Sequence, residues 1–400
     1  MIESRKVADL GTFLFLYIAQ SIPMSFFSTV LPVIMRQENF SLASIGLLQL
    51  IKLPWIFKFL WSPLIDRNCV TTRDYKRWIF SSELIYASLI FIVAFLDFKA
   101  DFYIILVLVI FSFIASATQD IATDALAVLS FSRKDKSLVN SMQSMGSFCG
   151  AMIGSGLLLL LFRQLGWNKL LPCLALFVIL ALLPLFLNRK LKVQESASVR
   201  AKKADFIYFF NQKGIWKQVG FLFLSYSGLI GTLAMLKPYL VDLGYEMKAI
   251  GLMFGIVGTS VGALSSFAAG FIVRRIGRQA SRIFFAAVIF VTAVFFTFIT
   301  LLNPTTPVLY TGILLIWGSY GMATIVVYTT AMDCVRPGRE GTDFTIQTVI
   351  THLSSICIVV LSGKLADHWG YQGLFCFQAT MALTSFVYVL TVFRGKEFKE

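Results

Sequence analysis

The chain has 400 residues, of which 57% are hydrophobic and 14% charged, and its mean hydropathy is +0.78. A soluble domain carries about a quarter charged residues, so an array of soluble domains is excluded. The net charge of +14 would suggest nucleic acid in a soluble protein. Here the basic residues fill gaps between apolar runs, which excludes nucleic acid and makes the lipid bilayer the partner.

Twelve apolar runs are predicted, at 10–35, 42–61, 79–97, 102–130, 138–161, 170–187, 218–241, 249–273, 283–302, 307–332, 344–362 and 373–393. Each is close to the ~20 residues that cross ~30 Å of hydrocarbon. All should be helical, because lipid offers the backbone no hydrogen-bond partner; the expected fold class is an all-α membrane protein. Arg5 and Lys6 precede the first run, which is too long for a signal-peptide core, lacks a clear cleavage site and stays as a span. It contains Gln20. The second run carries Lys52 and Lys58 and breaks into Trp61-Ser62-Pro63-Leu64-Ile65-Asp66-Arg67. The fourth contains Ser116-Ala117-Thr118-Gln119-Asp120-Ile121-Ala122-Thr123-Asp124-Ala125. The fifth holds Gln143 and the small-residue row Gly146, Gly150, Gly154 and Gly156, expected to let helices pack closely, with the interface between halves as one candidate place. The stretch 188–217 is basic and polar; it divides the chain into six spans (1–187) and six more (218–400). Its charge reads as a topology signal, with lipid headgroups as the lesser option. Lys237 lies beside Pro238 in the seventh run, Arg275 and Arg278 follow the eighth, and Gln347 and His352 lie in the eleventh. Six cysteines show no CxxC spacing; they are expected to be small buried apolar residues, with no disulfide framework and no metal site.

If both termini share one side, the loops of that side carry 26 Lys and Arg and the opposite loops 6. Positive loops stay cytoplasmic, so both termini are expected in the cytoplasm. The other three basic residues, Lys52, Lys58 and Lys237, fall inside spans.

The two halves repeat. Pro32 answers Pro238 at an offset of 206, Gly46 answers Gly251 at 205, and Ser62–Arg67 answers Gly270–Arg275 at 208. Gln143 and Gly166 answer Gln347 and Gly370, both at 204. Parallel six-span repeats of this kind define the major facilitator architecture, with substrate held near mid-membrane. Ser62–Arg67 and Gly270-Phe271-Ile272-Val273-Arg274-Arg275-Ile276-Gly277-Arg278 resemble the cytoplasmic signature of that superfamily, Gly-x-Leu-x-Asp-Arg-x-Gly-Arg. The first copy keeps Asp66 and Arg67 but has Ser62 for the first Gly. The second keeps Gly270, Arg275, Gly277 and Arg278 but has Arg274 for the Asp, so no Asp-dependent gate contact is expected there. Within the superfamily, Lys58–Arg67 together with Ser116–Ala125 resembles the AmpG muropeptide permease and acetyl-CoA transporter group. Ala19-Gln20-Ser21-Ile22-Pro23, Leu31-Pro32-Val33-Ile34-Met35-Arg36 and Pro54-Trp55 are similar to the related siderophore permeases of the RhtX/FptX type. The resemblance implies a major facilitator fold of twelve helices in two bundles, and import of a siderophore or muropeptide.

Charged residues in lipid are expensive and as a rule functional. Asp120 and Asp124 are four apart and share a helix face. Two readings stay open: a carboxyl that carries a coupling proton, or a gate contact with Arg67 or a neighbouring base, the gate being preferred for Asp124. Lys52, mid-span, has no short snorkelling route and is expected to meet a substrate anion or a carboxylate. Lys58 is expected to snorkel or support the gate. Lys237 has Leu31 as its repeat equivalent, so its charge is not a symmetric scaffold feature. Two such cations suit an anionic or metal-chelating solute. Gln20, Gln119, Gln143, Gln347 and His352 are candidates for the cavity or for simple helix–helix hydrogen bonds. Asp66, Arg67, Arg275 and Arg278 are gate candidates.

The leading expectation is a secondary active permease of the cytoplasmic membrane, proton-coupled, working as a monomer without cofactor. No nucleophile elbow, HExxH or metal-ligand cluster suggests an enzyme, and no Walker A sequence suggests ATP as the energy source. An exporter of an organic anion and a non-transporting membrane receptor are the alternatives.

Overall fold

A computed structural model describes residues 2–193, 201–202, 205–301 and 304–393, and among them there is no strand. Arg200, Lys203, Arg394, Lys396 and Lys399, part of the basic-loop tally, lie outside the described residues. Eight helices are long and apolar enough to cross a membrane, and one of them, Glu340–Val392, takes in two of the expected spans.

Cα packing divides the chain into two compact units. The first, Met1–Tyr208 with Val335–Ile346, contains α1 (Ile2–Ser25), α2 (Leu31–Gln37), α3 (Leu42–Leu47), α4 (Leu53–Phe57), α5 (Ser62–Asn68), α6 (Thr72–Val93), α7 (Phe102–Ser130), α8 (Lys136–Met152), α9 (Leu158–Leu180) and α10 (Leu183–Leu187). The first expected span is α1 and α2 joined by a wide π turn at Phe26–Val30. Pro23 and Pro32 flank this turn, and each lacks the N–H that a regular helix would use. The second expected span is not one helix. Pro54 and Pro63 stand at the first turns of α4 and α5, where a missing N–H is harmless, and tight 3₁₀ turns at Leu48–Lys52 and Lys58–Leu60 fill the gaps. A Thr71–Asp74 capping box starts α6.

The glycine row of α8 lies against α1 within this one unit. A Cβ on Gly146 would come within 2.6 Å of the Leu14 carbonyl, on Gly150 within 2.6 Å of Ser21 Cβ, and on Gly154 within 2.3 Å of the Ile22 carbonyl. Gly156 has nothing within 4 Å and is not part of the contact. The close packing is therefore intra-unit.

The second unit, Phe209–Cys334 with Gln347–Glu400, contains α11 (Ile215–Leu224), α12 (Ile230–Asp242), α13 (Met247–Leu252), α14 (Thr259–Ile276), α15 (Arg278–Ile299), α16 (Thr306–Asp333) and most of α17 (Glu340–Val392). Its core gathers Phe285, Phe296 and Phe375 among leucines and isoleucines. The internal repeat is visible in the backbone. Gly166 kinks α9 at φ 69, ψ −178, and Gly370 kinks α17 at φ 65, ψ −177, a conformation open essentially to glycine alone. The cysteines depart from expectation: Cys69 is buried, but Cys173, Cys357 and Cys376 are on outer faces. On a helix in lipid the outer face is also apolar, so a thiol loses nothing by standing there.

Candidate functional site

A polar row runs along α7. Ser112, Ser116, Asp120 and Asp124 recur every four residues and all are buried, so they line one face at ~6 Å intervals. Asp120, 3% exposed, accepts from Gln20 Nε2 of α1 at 3.0 Å on one oxygen and pairs with Lys58 Nζ on the other. Lys58 is 1% exposed. The expected snorkelling does not occur, because the 3₁₀ turn at Lys58–Leu60 aims the side chain inward, where its ammonium also lies 4.9 Å from the Trp55 ring centroid. Asp124 accepts from Tyr17 Oη of α1 and from Gln143 Nε2 of α8 at 3.1 Å. Gln119 donates to Thr123 Oγ1 at 2.9 Å.

The cluster therefore joins Gln20, Lys58, Asp120, Asp124 and Gln143, five residues singled out in the sequence, with Tyr17, which was not. Tyr17 stands three residues before Gln20 and so shares its helix face, which is the signal that was available. The ion pair is out of water. Removing one partner of such a pair is costly, since the other remains as an uncompensated buried charge.

A second constellation surrounds Asp66 in the first unit. Asp66, at the end of α5 and 5% exposed, accepts from the Gly341 amide at 2.9 Å and the Thr342 amide at 2.7 Å. These are orphan N–H groups of the first turn of α17, where a carboxylate also meets the positive end of the helix dipole. Burial pushes the Asp66 carboxyl up to about 7, against those hydrogen bonds. In the same unit Arg336 forms a fork on Asp343 at 2.6 and 2.8 Å and reaches Asp205 at 3.1 Å, while Arg339 binds Asp205 at 3.0 Å. Burial opposes ionisation of Asp205, yet the Lys202 amide and the two arginines hold its carboxyl below the usual range. Asp205 lies in the basic linker and the arginines counted only as topology signals, so sequence reasoning passed over this network. Arg67 is exposed and is not among the partners of Asp120 or Asp124.

In the second unit Gln347 takes a hydrogen bond from Gln218 at 3.2 Å and donates to the Ala331 carbonyl at 2.9 Å. Arg278 binds Asp333 at 2.9 Å, so the turn that lacks its own Asp finds a carboxylate on α16. Arg275 is exposed and His352 half-buried. Lys237 is exposed, its Nζ 5.3 Å from the Phe254 ring centroid; Lys52 of the first unit is also exposed and does not join the α7 cluster of that unit. Among the described residues no group of three His, Cys, Asp or Glu could hold a metal ion.

Helices of membrane-crossing length, a sequence repeated in two halves and, within the first unit, a buried ion pair define the class: a multi-pass membrane transport protein. Residues 13–357 match the family model of the Major Facilitator Superfamily, and the chain belongs to that superfamily. It is similar to the anhydromuropeptide permease of Escherichia coli (strain K12), at 23% identity over 402 residues, 96% of this chain and 80% of the relative. It is also similar to the putative transporter AmpG 2 of Rickettsia bellii, at 24% identity over 361 residues, 86% of this chain and 87% of the relative. A solved bacterial homologue of the iron transporter ferroportin, in an outward-facing state, superposes with a TM-score of 0.73 at 16% identity over 99% of this chain and 100% of the other. The human organic anion transporter MFSD10 gives 0.68 at 15% identity, over 96% and 98%. At such identities the solved structures show the shared fold.

Proposed function

We propose that this chain is a secondary active permease of the AmpG-like group that imports a mid-sized polar solute by alternating access, coupled to protons. It works as a monomer in a bacterial cytoplasmic membrane with both termini in the cytoplasm, and no enzymatic step is part of the reading. The observation that supports it best is the buried pair of Lys58 and Asp120, one turn from a second carboxyl at Asp124. One lysine balances one carboxylate; a second ionised carboxylate in the same low-dielectric space would be uncompensated. The cluster therefore suits a proton as its third charge. When movement of α4 or arrival of solute draws Lys58 off, a proton on Asp120 replaces it, and Gln20 bonds either form. Solute and proton are thus linked through one carboxylate.

The relatives named for anhydromuropeptide make a muropeptide the first solute to test, with a ferric siderophore as the sequence-based second. Lys52 and Lys237 are separate candidates for acidic groups of the solute. Gln119, Gln347 and His352 are further polar positions in the spans, and Asp66, Arg67, Arg275 and Arg278 are assigned to gating.

The test is uptake into proteoliposomes with an imposed proton gradient, using labelled anhydromuropeptide beside a ferric siderophore panel. Accumulation that stops when a protonophore collapses the gradient is expected, with Asp120→Asn losing accumulation but keeping exchange. Uptake indifferent to the gradient would remove the coupling. Efflux of an organic anion without import would favour an exporter, and binding without flux a receptor.

A further inference from the structure

The sixth helix carries a carboxyl that neither constellation uses. Glu83 of α6 is 0% exposed, as are Tyr86 of α6 and Ser116 of α7. Both Glu83 carboxyl oxygens, the Tyr86 hydroxyl and the Ser116 hydroxyl lack a hydrogen-bond partner. These atoms belong to one place. Glu83 and Tyr86 are three apart on the buried face of α6 that also holds Ile79, Ser82, Ala87 and Ile90. That face packs along α7, where the Ser116 hydroxyl lies beside the Tyr86 hydroxyl. Buried polar atoms without partners are rare and ask for an explanation, and here four gather at one helix–helix contact.

The surroundings fix the charge state. On α6 the titratable neighbour is Tyr86. From α7 come Ser112, committed to the Val109 carbonyl at 2.7 Å, and Ser116. Asp120, one turn beyond Ser116, is occupied by Lys58 and Gln20. The α9 helix, which also packs on α6, has the apolar residues Leu171, Leu174, Ala175 and Val178 on its buried face. No cation among the described residues pairs with Glu83. An ionised carboxylate fully out of water with neither cation nor N–H donor is far more costly than its neutral form.

We propose that Glu83, with Tyr86 and Ser116, is a second proton-binding site of this protein, neutral in the present arrangement and emptied when helix movement admits water to the α6–α7 contact. The neutral carboxyl and the two hydroxyls each offer one donor and a free acceptor, so small rotations can link them in a chain. A proton bound at Glu83 leaves to water as the carboxylate forms, and the reverse step restores the neutral carboxyl. Ser116 is also the α7 residue one turn before Asp120, so this site adjoins the row that runs on to Asp120 and Asp124. Its existence does not depend on the solute; only its contribution to coupling rests on the proton-driven reading above.

The test is an infrared pH titration of the purified full-length protein, wild type against Glu83→Gln. The wild type is expected to show, at neutral pH, a protonated-carboxyl C=O band that is missing in Glu83→Gln and is lost on alkaline titration, with one proton more released per wild-type chain. Absence of the band at neutral pH would overturn the proposal, because Glu83 would be ionised. A band that persists across the whole pH range in which the fold holds would also overturn it, because a sealed carboxyl exchanges nothing. So would a band removed by sodium ions at constant pH, which would make the site a cation site. If Glu83→Gln fails to fold, Tyr86→Phe and Ser116→Ala in the intact Glu83 background are expected to shift the band, and an unshifted band would count against the site. These spectra need no transport, so loss of proton-driven uptake in vesicles would sink the coupling and leave this result standing by itself.

Discussion

Lys58 and Asp120 are 62 residues apart and Gln20 and Asp120 are 100 apart, yet the three side chains form one unit. The energetics of that unit are testable by substitution. Lys58→Met alone leaves the Asp120 carboxylate buried without its cation, a loss expected to cost ~3–5 kcal/mol. The double change Lys58→Met with Asp120→Leu removes both charges and is expected to recover most of the thermal stability while uptake stays abolished. Melting of the purified variants decides the first point and vesicle uptake the second; an unchanged melting temperature for the single variant would mean that the pair is not out of water. Each partner was readable as a charged residue in an apolar run. The partnership was not, because the direction of Lys58 depends on a local 3₁₀ turn rather than on its position in the run. Glu83, an acid inside the third run, was passed over in the sequence, and nothing there says that its neighbours leave it without a partner.

At the scale of elements, close approach of α1 and α8 rests on the glycines of α8. Gly154→Ala puts a methyl group 2.3 Å from a backbone carbonyl, which no rotamer can relieve, so the helices must separate at a cost of about 1–3 kcal/mol or more. Gly156→Ala, two residues on and facing open space, is expected to be neutral or slightly stabilising, since alanine is the better helix former by ~1 kcal/mol. Thermal melts of the two variants compare them directly; equal destabilisation would mean that the row is not the contact. Because α1 supplies Tyr17 and Gln20, a displaced α1 also pulls donors from Asp124 and Asp120, and Gly154→Ala should weaken uptake as well as stability. The sequence identified the row as a packing device, and its place in the first unit followed only from the structure. Helix existence was equally legible for the fourth run, where residues 102–130 form one helix. The second run was misread as continuous: hydropathy counts side chains, whereas Pro54 and Pro63 act on the backbone.

At the scale of the whole molecule, the first unit includes residues 335–346 from late in the chain, tied by Asp66 to the first turn of α17. This tie carries a pH dependence. The Asp66 carboxyl is raised from 3.8 to about 7, so the neutral form is favoured where the side chain is buried. Its contribution is fully present below pH 3.8 and is lost as pH rises through about 7. The buried arrangement is therefore expected to weaken on going from mildly acidic to mildly alkaline solution, and Asp66→Asn to flatten that dependence by holding the neutral shape. Spin labels on α5 and near residue 341, read across that pH range, measure it; a distance that is constant in wild type and variant alike would remove Asp66 as the titrating group.

By itself the sequence determined that this chain is an all-helical membrane protein with repeated halves, because the length of apolar runs and the positions of turn residues are set by the bilayer and by the backbone, and both are local along the chain. The resemblance of Ser62–Arg67 and Gly270–Arg278 also reached the superfamily, since each of those motifs is contiguous. Tertiary structure alone decided which polar side chains meet. It placed Lys58 on Asp120, Tyr17 and Gln143 on Asp124, and Asp66 on the amides of α17, and it left Glu83 alone with two hydroxyls. The physical reason is that a buried charge is settled by whatever stands within hydrogen-bond reach, and that reach is created by packing between helices distant in sequence.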